Sequence, residues 1–184
     1  MNLMIASDLH GSAYYGRLLL EAFEREQPQR LLLLGDLLYH GPRNDLPRDY
    51  DPKQVIALLN SIKEYLLCVR GNCDCDVDQM VLEFPIMAES CLLYVENHMI
   101  FATHGHLYSP QTPPLLQKGD VLLTGHTHVP ACTELDGFTY LNPGSLAIPK
   151  QGSCHGYMVL EDGVFFWKDL QGAVQSTYKL PPRP

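Results

Sequence analysis

Basic side chains are scarce in this chain: 13 Lys and Arg stand against 21 Asp and Glu in 184 residues, a formal charge of −8 with histidine neutral. Proteins that hold nucleic acid by a broad surface draw their phosphate affinity mainly from Lys and Arg, so the deficit excludes a surface of that kind. It does not exclude a local positive site made by bound divalent cations, which a formal charge omits. Long apolar runs are also missing, and no stretch reaches the length of a membrane-spanning helix. The opening "MNLMIASDLHG" lacks a basic leader, a long apolar segment and a small-residue cleavage site, so no secretory signal is read there. The six cysteines, Cys68, Cys73, Cys75, Cys91, Cys132 and Cys154, are dispersed through a chain large enough to build its own core. The expectation is reduced thiols in the cytoplasm rather than a disulfide framework. No repeat, linker or low-complexity segment interrupts an ordinary balance of 46% hydrophobic and 18% charged residues, so residues 1–184 are expected to form a single domain. The final "PPRP" reads as a frayed tail.

What is present is a series of short apolar runs that each end in Gly or a polar cluster: "LMIASDLH", "LLLLGD", "LLCVRGN", "MIFATHGH" and "VLLTGHTH". Runs of this length bounded by turn residues read as buried strands. Between the early ones, "YYGRLLLEAFEREQP" places Leu18, Leu19, Ala22 and Phe23 on one helical face and stops at Pro28. "DPKQVIALLNSIKEY" offers Asp51 as N-cap, Pro52 at the first helical position and Val55, Ile56, Leu59 and Ile62 as the apolar stripe. The first half therefore predicts a βαβαβ unit with a mostly parallel sheet. In the second half, Glu96-Asn97, Asp136-Gly137 and Asp162-Gly163 separate strand-like runs, which is hairpin chemistry and predicts mixed sheets.

All five early runs end in side chains able to bind a metal: Asp8 and His10, Asp36, Asn72, His104, and His126 with His128. In an α/β sheet the carboxyl ends of the strands converge on the ligand crevice, so these clusters are expected to meet. Residues two apart on an extended segment share a face, which would aim Asp8 and His10 at one ion, and likewise His126 and His128. Carboxylates, imidazoles and one amide, with no thiolate required, suit manganese, iron, zinc or a similar divalent ion. Seven ligands are more than one tetrahedral ion uses. Singly, each has a plainer reading, Asp8 as a helix N-cap and Asn72 as a turn residue; together those readings leave the coincidence of five strand ends unexplained.

The ordered set Asp8–His10, Gly35-Asp36, Gly71 to Asp74, His104 to His106 and Gly125 to His128 resembles the calcineurin-like metallophosphoesterases. It is most similar to the small single-domain bacterial and archaeal phosphodiesterases of the YfcE type, with "NPGS" at Asn142 to Ser145 as a further match. The resemblance implies a four-layer α/β/β/α sandwich of two mixed β-sheets flanked by helices, with two divalent ions at one end of the sheets. Manganese is the first candidate, with nickel, iron, cobalt or zinc as alternatives. It implies that Asp36 bridges, with Asp8, His10 and His128 completing one ion's ligands and Asn72, His104 and His126 the other's. A small phosphodiester is the implied substrate, hydrolysed by a hydroxide generated between the ions. A phosphomonoesterase or nucleotide pyrophosphatase on the same centre is the nearest alternative. The rival from another class is a scaffold, since the retromer subunit of the eukaryotic sorting machinery resembles the same fold and serves mainly as a binding platform. No membrane partner is expected, and a homo-oligomer is left open.

The stretch "VRGNCDCDVD" admits two other readings. A calcium loop begun at Asp74 needs Gly where Gln79 stands and Glu where Pro85 stands, so it fails on its own template. A redox pair of Cys73 and Cys75 strains disulfide geometry and is not the C-x-x-C of oxidoreductases. What remains is a turn that delivers Asn72 to a metal. The family resemblance implies a catalytic role at Asn72, Cys73, Asp74 and His106, with one departure: where many members carry the histidine that protonates the leaving oxygen, this chain has Cys73. A thiol lacks the positive form and second nitrogen of imidazole, which weakens general-acid catalysis and leaves Asp74 no ring to orient. His106 is expected beside the site as a ligand's neighbour or substrate contact. His40, His98 and His155 read as surface or satisfied core residues. Arg70 reads as a structural ion pair, while Arg43 and Asn44 sit on a loop able to line the cleft.

Overall fold

The structure is a computed structural model that describes residues 2–182. The first half alternates as the periodicity predicts: β1 (Asn2–Ala6), α1 (Ala13–Glu26), β2 (Arg30–Leu33), α2 (Pro52–Ser61), a 3₁₀ turn at Lys63–Tyr65, β3 (Leu66–Cys68) and a short α3 (Asp76–Gln79). The N-cap of α1 is Ser12, whose hydroxyl accepts from the Tyr15 N–H, and Asp51 caps α2 by accepting from the Gln54 N–H, with Pro52 at the first helical position. The second half is strands alone: β4 (Ser90–Val95), β5 (His98–Thr103), β6 (Asp120–Leu123), β7 (Ala131–Leu135), β8 (Phe138–Asn142), β9 (Gly156–Glu161), β10 (Val164–Asp169) and β11 (Val174–Lys179).

Two mixed sheets result. The larger runs β11-β10-β9-β1-β2-β3, parallel through β1, β2 and β3 and antiparallel beyond β1. The smaller runs β4-β5-β6-β8-β7, with parallel pairs β5/β6 and β6/β8 between two antiparallel edges. The hairpins fall where expected; Glu96 and Asn97 both have positive φ, as do Asp162 and Gly163, the conformation a two-residue turn requires. Strand alternation divides the interior. Met4, Leu31 and Leu33 face α1 and α2 in one apolar cluster, while Leu3, Ile5, Leu32 and Leu34 face Ile100, Ala102, Val121 and Leu123 of the second sheet in another. Each such fully buried aliphatic side chain contributes roughly 1.5–3 kcal/mol. This α/β sandwich agrees with the expected fold class. Its helices α1 and α2 gather on the larger sheet, and an irregular segment, 105–119, connects β5 to β6.

Of the histidines read as surface or satisfied core residues, His98 and His155 are satisfied, whereas half-buried His40 keeps a buried Nδ1 without a hydrogen-bond partner. His98 is buried with its two ring nitrogens against the carbonyls of Gly119 and Pro181, at 2.6 and 2.8 Å. His155 lies between the Leu146 carbonyl and the Tyr15 hydroxyl. The contact from His98 corrects the expected frayed tail in part: Pro181 is held, and the Leu180 N–H donates to the Gly163 carbonyl. Arg183 and Pro184 lie outside the described residues.

Candidate metal centre

The carboxyl ends of β1, β2, β3, β5 and β6 point the same way, and the loops leaving them meet. The extended-strand argument for aiming the ligands does not survive, however. β1 stops at Ala6 and β6 at Leu123, and Asp8, His10, Asp36, His126 and His128 all sit in the left-handed region, with φ between 50 and 67°. Left-handed backbone at a non-glycine residue is costly and concentrates where function demands it. Because each ligand resets the chain direction, His126 and His128 turn to different partners instead of sharing a face. Two glycines permit the loops to close: a Cβ on Gly71 would collide with Asp36, and one on Gly125 with Ser7 and Asp8.

Two groups of donors form. In the first, His10 Nε2 lies 3.2 Å from His128 Nε2, 3.6 Å from Asp8 Oδ1 and 3.7 Å from Asp36 Oδ2. In the second, His104 Nε2 lies 3.0 Å from Asn72 Oδ1, 3.2 Å from His126 Nδ1 and 3.4 Å from Asp36 Oδ2. One carboxylate oxygen of Asp36 therefore faces both groups. His10, His104 and His128 each donate Nδ1–H to a backbone carbonyl, of Tyr39, Leu34 and Ile148, at 2.8, 2.6 and 2.6 Å. That bond fixes the tautomer and leaves the Nε2 lone pair aimed inward, the usual arrangement of a ligating histidine. Two imidazole lone pairs facing each other at 3.2 Å repel unless a positive charge lies between them.

The surroundings of Asp8 suit a cation. Its Oδ2 accepts from the His126 N–H, but its Oδ1 is buried and without a hydrogen-bond partner. A buried carboxylate oxygen left so is expensive in an ordinary core and natural in a cation site. Asp8, His10 and His128, and again Asp8, Asp36 and His104, bring their ligand atoms within 4.8 Å of one another. A third set, His10, Asp36 and Cys73, meets the same limit.

The charges are coupled. Burial raises the Asp8 pKa, but His10, His128 and His104 outweigh it and hold the carboxyl well below the usual range. Asp36 is likewise lowered, its burial outweighed by the hydrogen bond and charge of His104. Burial opposes charging of His104, yet the Asp36 hydrogen bond and the charges of Asp8 and Asp36 lift it from 6.5 to about 9. A raised folded value stabilises fully below the unfolded value near 6.5 and ceases to do so as pH rises through about 9. The two depressed carboxylates stabilise above the unfolded value of 3.8 and lose that contribution as pH falls through their folded values. Metal-free protein is accordingly expected to melt a few degrees lower at pH 9.5 than at pH 6, roughly the effect of a kcal/mol or two. Thermal denaturation of chelator-stripped protein across that range checks this, and a flat profile would contradict the His104 coupling.

The remaining expected site residues divide. Cys73 lines a cleft of about 460 Å³ together with His10, Asp36, Asn72, His126 and His128. Burial, then the charge of Asp36, pushes its thiol up to about 12, so it is neutral near pH 7. His106 lines a separate recess with Arg70, Asn72 and Glu89, its ring centroid 5.4 Å from that of His104. Burial and the His104 charge lower its pKa, which favours the neutral ring. Arg70 makes no ion pair among the described residues; its Nε donates to the Asp74 carbonyl. Asp74 is buried, and its oxygens accept the N–H groups of Asp36, Leu37 and Gly71 at 2.8, 2.9 and 2.7 Å. It ties the Asp36 loop to the Asn72 turn. Asp74→Asn sets an amide N–H₂ against those donors, and a loss of about 2–4 kcal/mol is expected, read as a fall in melting temperature. A loss under about 0.5 kcal/mol would contradict the clamp.

Two supports were less visible in sequence. Asn142 donates to the Gly125 carbonyl and the Thr127 hydroxyl, at 2.7 and 3.1 Å, and so braces the loop bearing His126 and His128. Ser145 donates to the Asp8 carbonyl at 2.9 Å. The "NPGS" match was the available signal; Lys150, which also lines the larger cleft, carried none.

With this geometry in place, comparison with known proteins is decisive. The calcineurin-like phosphoesterase superfamily domain matches residues 1–162. The chain belongs to the calcineurin-like phosphoesterase superfamily. It is 45% identical to the phosphodiesterase YfcE of Escherichia coli K12 over 164 residues, 89% of each chain. It is 26% identical over 167 residues, 87% of this chain and 83% of the other, to the probable metallophosphoesterase YsnB of Bacillus subtilis. The solved structure of the E. coli phosphoesterase superposes with a TM-score of 0.94 at 41% identity, covering 98% of this chain and all of that one. Vps29 of Entamoeba histolytica, solved with zinc, shares the superfamily fold at a TM-score of 0.64 and 21% identity, over 98% of this chain. Among the described residues no helix is long and apolar enough to cross a membrane.

Proposed function

We propose that this superfamily member is a divalent-metal-dependent phosphodiesterase acting on small phosphate diesters, with manganese as the favoured metal and the cytoplasm, where its six free cysteines stay reduced, as its compartment. The observation that carries the reading is the single Asp36 oxygen 3.7 Å from His10 Nε2 and 3.4 Å from His104 Nε2, which suits a carboxylate shared by two cations. Asp8, His10 and His128 would complete one ligand set and Asn72, His104 and His126 the other. When bound, two such ions supply Lewis acidity toward a phosphoryl oxygen and make water acidic enough to attack phosphorus.

The chain's own residues set the rest. The backbone-anchored imidazoles keep their Nε2 atoms oriented without substrate, so little reorganisation is needed during reaction. Cys73, neutral and facing the cleft, supplies no imidazolium to protonate a leaving oxygen. Leaving groups that depart as stable anions are therefore favoured, and hydrolysis of diesters with such groups suits the site best. The name of the E. coli relative supports the same substrate class.

Turnover of mono- and bis(4-nitrophenyl) phosphate with Mn, Ni, Co, Mg and Zn tests the reading. Metal-dependent hydrolysis of the diester, faster than the monoester and lost in chelator, is expected. A faster monoester across all metals would make the protein a phosphomonoesterase, and no turnover with any metal would favour a scaffold.

A further inference from the structure

The larger cleft is lined by two basic side chains that the metal ligands do not explain. Arg43 and Lys150, both exposed, line it together with Asp36, Cys73 and His128. Five of the chain's 13 cations are engaged elsewhere: Arg17 with Asp49, Lys63 with Glu83, Lys168 with Glu26, Arg25 with Tyr157, and Arg48 over the Tyr14 ring. Among the described residues Arg43 and Lys150 form no ion pair, in a chain with eight more acidic than basic side chains (21 against 13). The Lys150 backbone is fixed to the loop that bears His128. The Lys150 N–H donates to the His128 carbonyl at 3.1 Å, and its own carbonyl accepts from Ser153. The loop before Arg43 is held by Asn44, whose amide donates to the His40 carbonyl at 2.8 Å, and Gly41 packs toward Cys73 Sγ.

We propose that Arg43 and Lys150 form an anion subsite for the retained arm of the substrate, so that the preferred diesters carry a second phosphate on that arm. The inference rests on the phosphodiesterase reading and deepens it. The scissile phosphate would have its charge balanced by the metal pair that Asp8, His10, Asp36, Asn72, His104, His126 and His128 would hold. Two cations without an ion pair that line the same cleft match a further dianion, to which guanidinium offers two parallel hydrogen bonds and ammonium a mobile point charge. The smaller recess at Arg70 and His106, on the other side of Asn72, is free for the departing arm.

Three 4-nitrophenyl diesters with one leaving group separate the possibilities: bis(4-nitrophenyl) phosphate, the 4-nitrophenyl ester of thymidine 5′-phosphate, and the same ester carrying a 3′-phosphate. The readout is the ratio of kcat/KM for the 3′-phosphorylated ester to that for its unphosphorylated parent. In the native protein it is expected to be about tenfold or more, the usual worth of charge-assisted hydrogen bonds to phosphate. In the double variant Arg43→Met, Lys150→Met it should fall to near one, and Lys150→Glu should bring it below the native ratio. A native ratio near one overturns the subsite. So does a ratio that persists in the double variant, including the case in which all three esters slow equally, which would put both cations on the scissile phosphate. Failure of the native protein to cleave bis(4-nitrophenyl) phosphate with any metal overturns the phosphodiesterase reading itself, and the subsite with it.

Discussion

Asp36→Asn is expected to lower diester turnover by a factor of about 10³ or more, the scale on which loss of a principal charge-stabilising group acts. The argument is geometric. Asp36 Oδ1 accepts the Cys73 N–H at 2.8 Å, and its main-chain N–H is held by Asp74, so an asparagine can keep the loop in place with its remaining oxygen. What it cannot keep is the second, charged oxygen that faces both His10 and His104. The loss should therefore appear as activity and metal content, with the fold intact: the variant melts cooperatively but retains fewer cations after purification. Loss of Asp36 also removes the hydrogen bond that raises His104, so the alkaline fall in stability of the metal-free protein should flatten. Activity within tenfold of the parent would mean that Asp36 is not shared.

Cys73→His is expected to accelerate esters with poor leaving groups by about 10²-fold, the low end of the range for general acids, and to leave nitrophenyl esters little changed. The thiol already lines the cleft, so an imidazole there can reach a leaving oxygen. Its gain is limited because Asp74 has both oxygens engaged by backbone N–H groups and cannot orient the new ring. A series of alkyl and aryl diesters gives the test: the dependence of rate on leaving-group pKa should become shallower in the variant. Parallel lines for variant and parent would remove proton donation from the account.

These expectations show which parts of the molecule were legible in the sequence. The five ligand-bearing strand ends and the three hairpins were, because short apolar runs stop abruptly at turn residues and metal-binding side chains. β11 was not: "VQSTYK" is an edge strand exposed along nearly its whole length, so it carries no apolar alternation. The way the ligands aim was misread for a definite reason. An extended segment pairs side chains two apart, and Asp8 and His10 do meet in one group, but His126 and His128 part, because all four are left-handed residues beyond the strands, a conformation that composition does not announce. Asp74 was placed at the site without its role, since its partners are main-chain donors, two of them 37 and 38 residues away. Arg43 and Asn44 were suspected of lining the cleft from their loop. Lys150 joins them only through the pairing of its backbone with His128.

The central claim is that seven side chains from five segments hold two cations together, and that both are needed to attack phosphorus. Stoichiometric titration of chelator-stripped protein with manganese, following bound metal and diester hydrolysis in the same samples, measures it directly. The account predicts two ions bound per chain, with activity that rises as the second site fills and vanishes again on chelation. Full activity with one ion per chain, or activity indifferent to stripping, would contradict it.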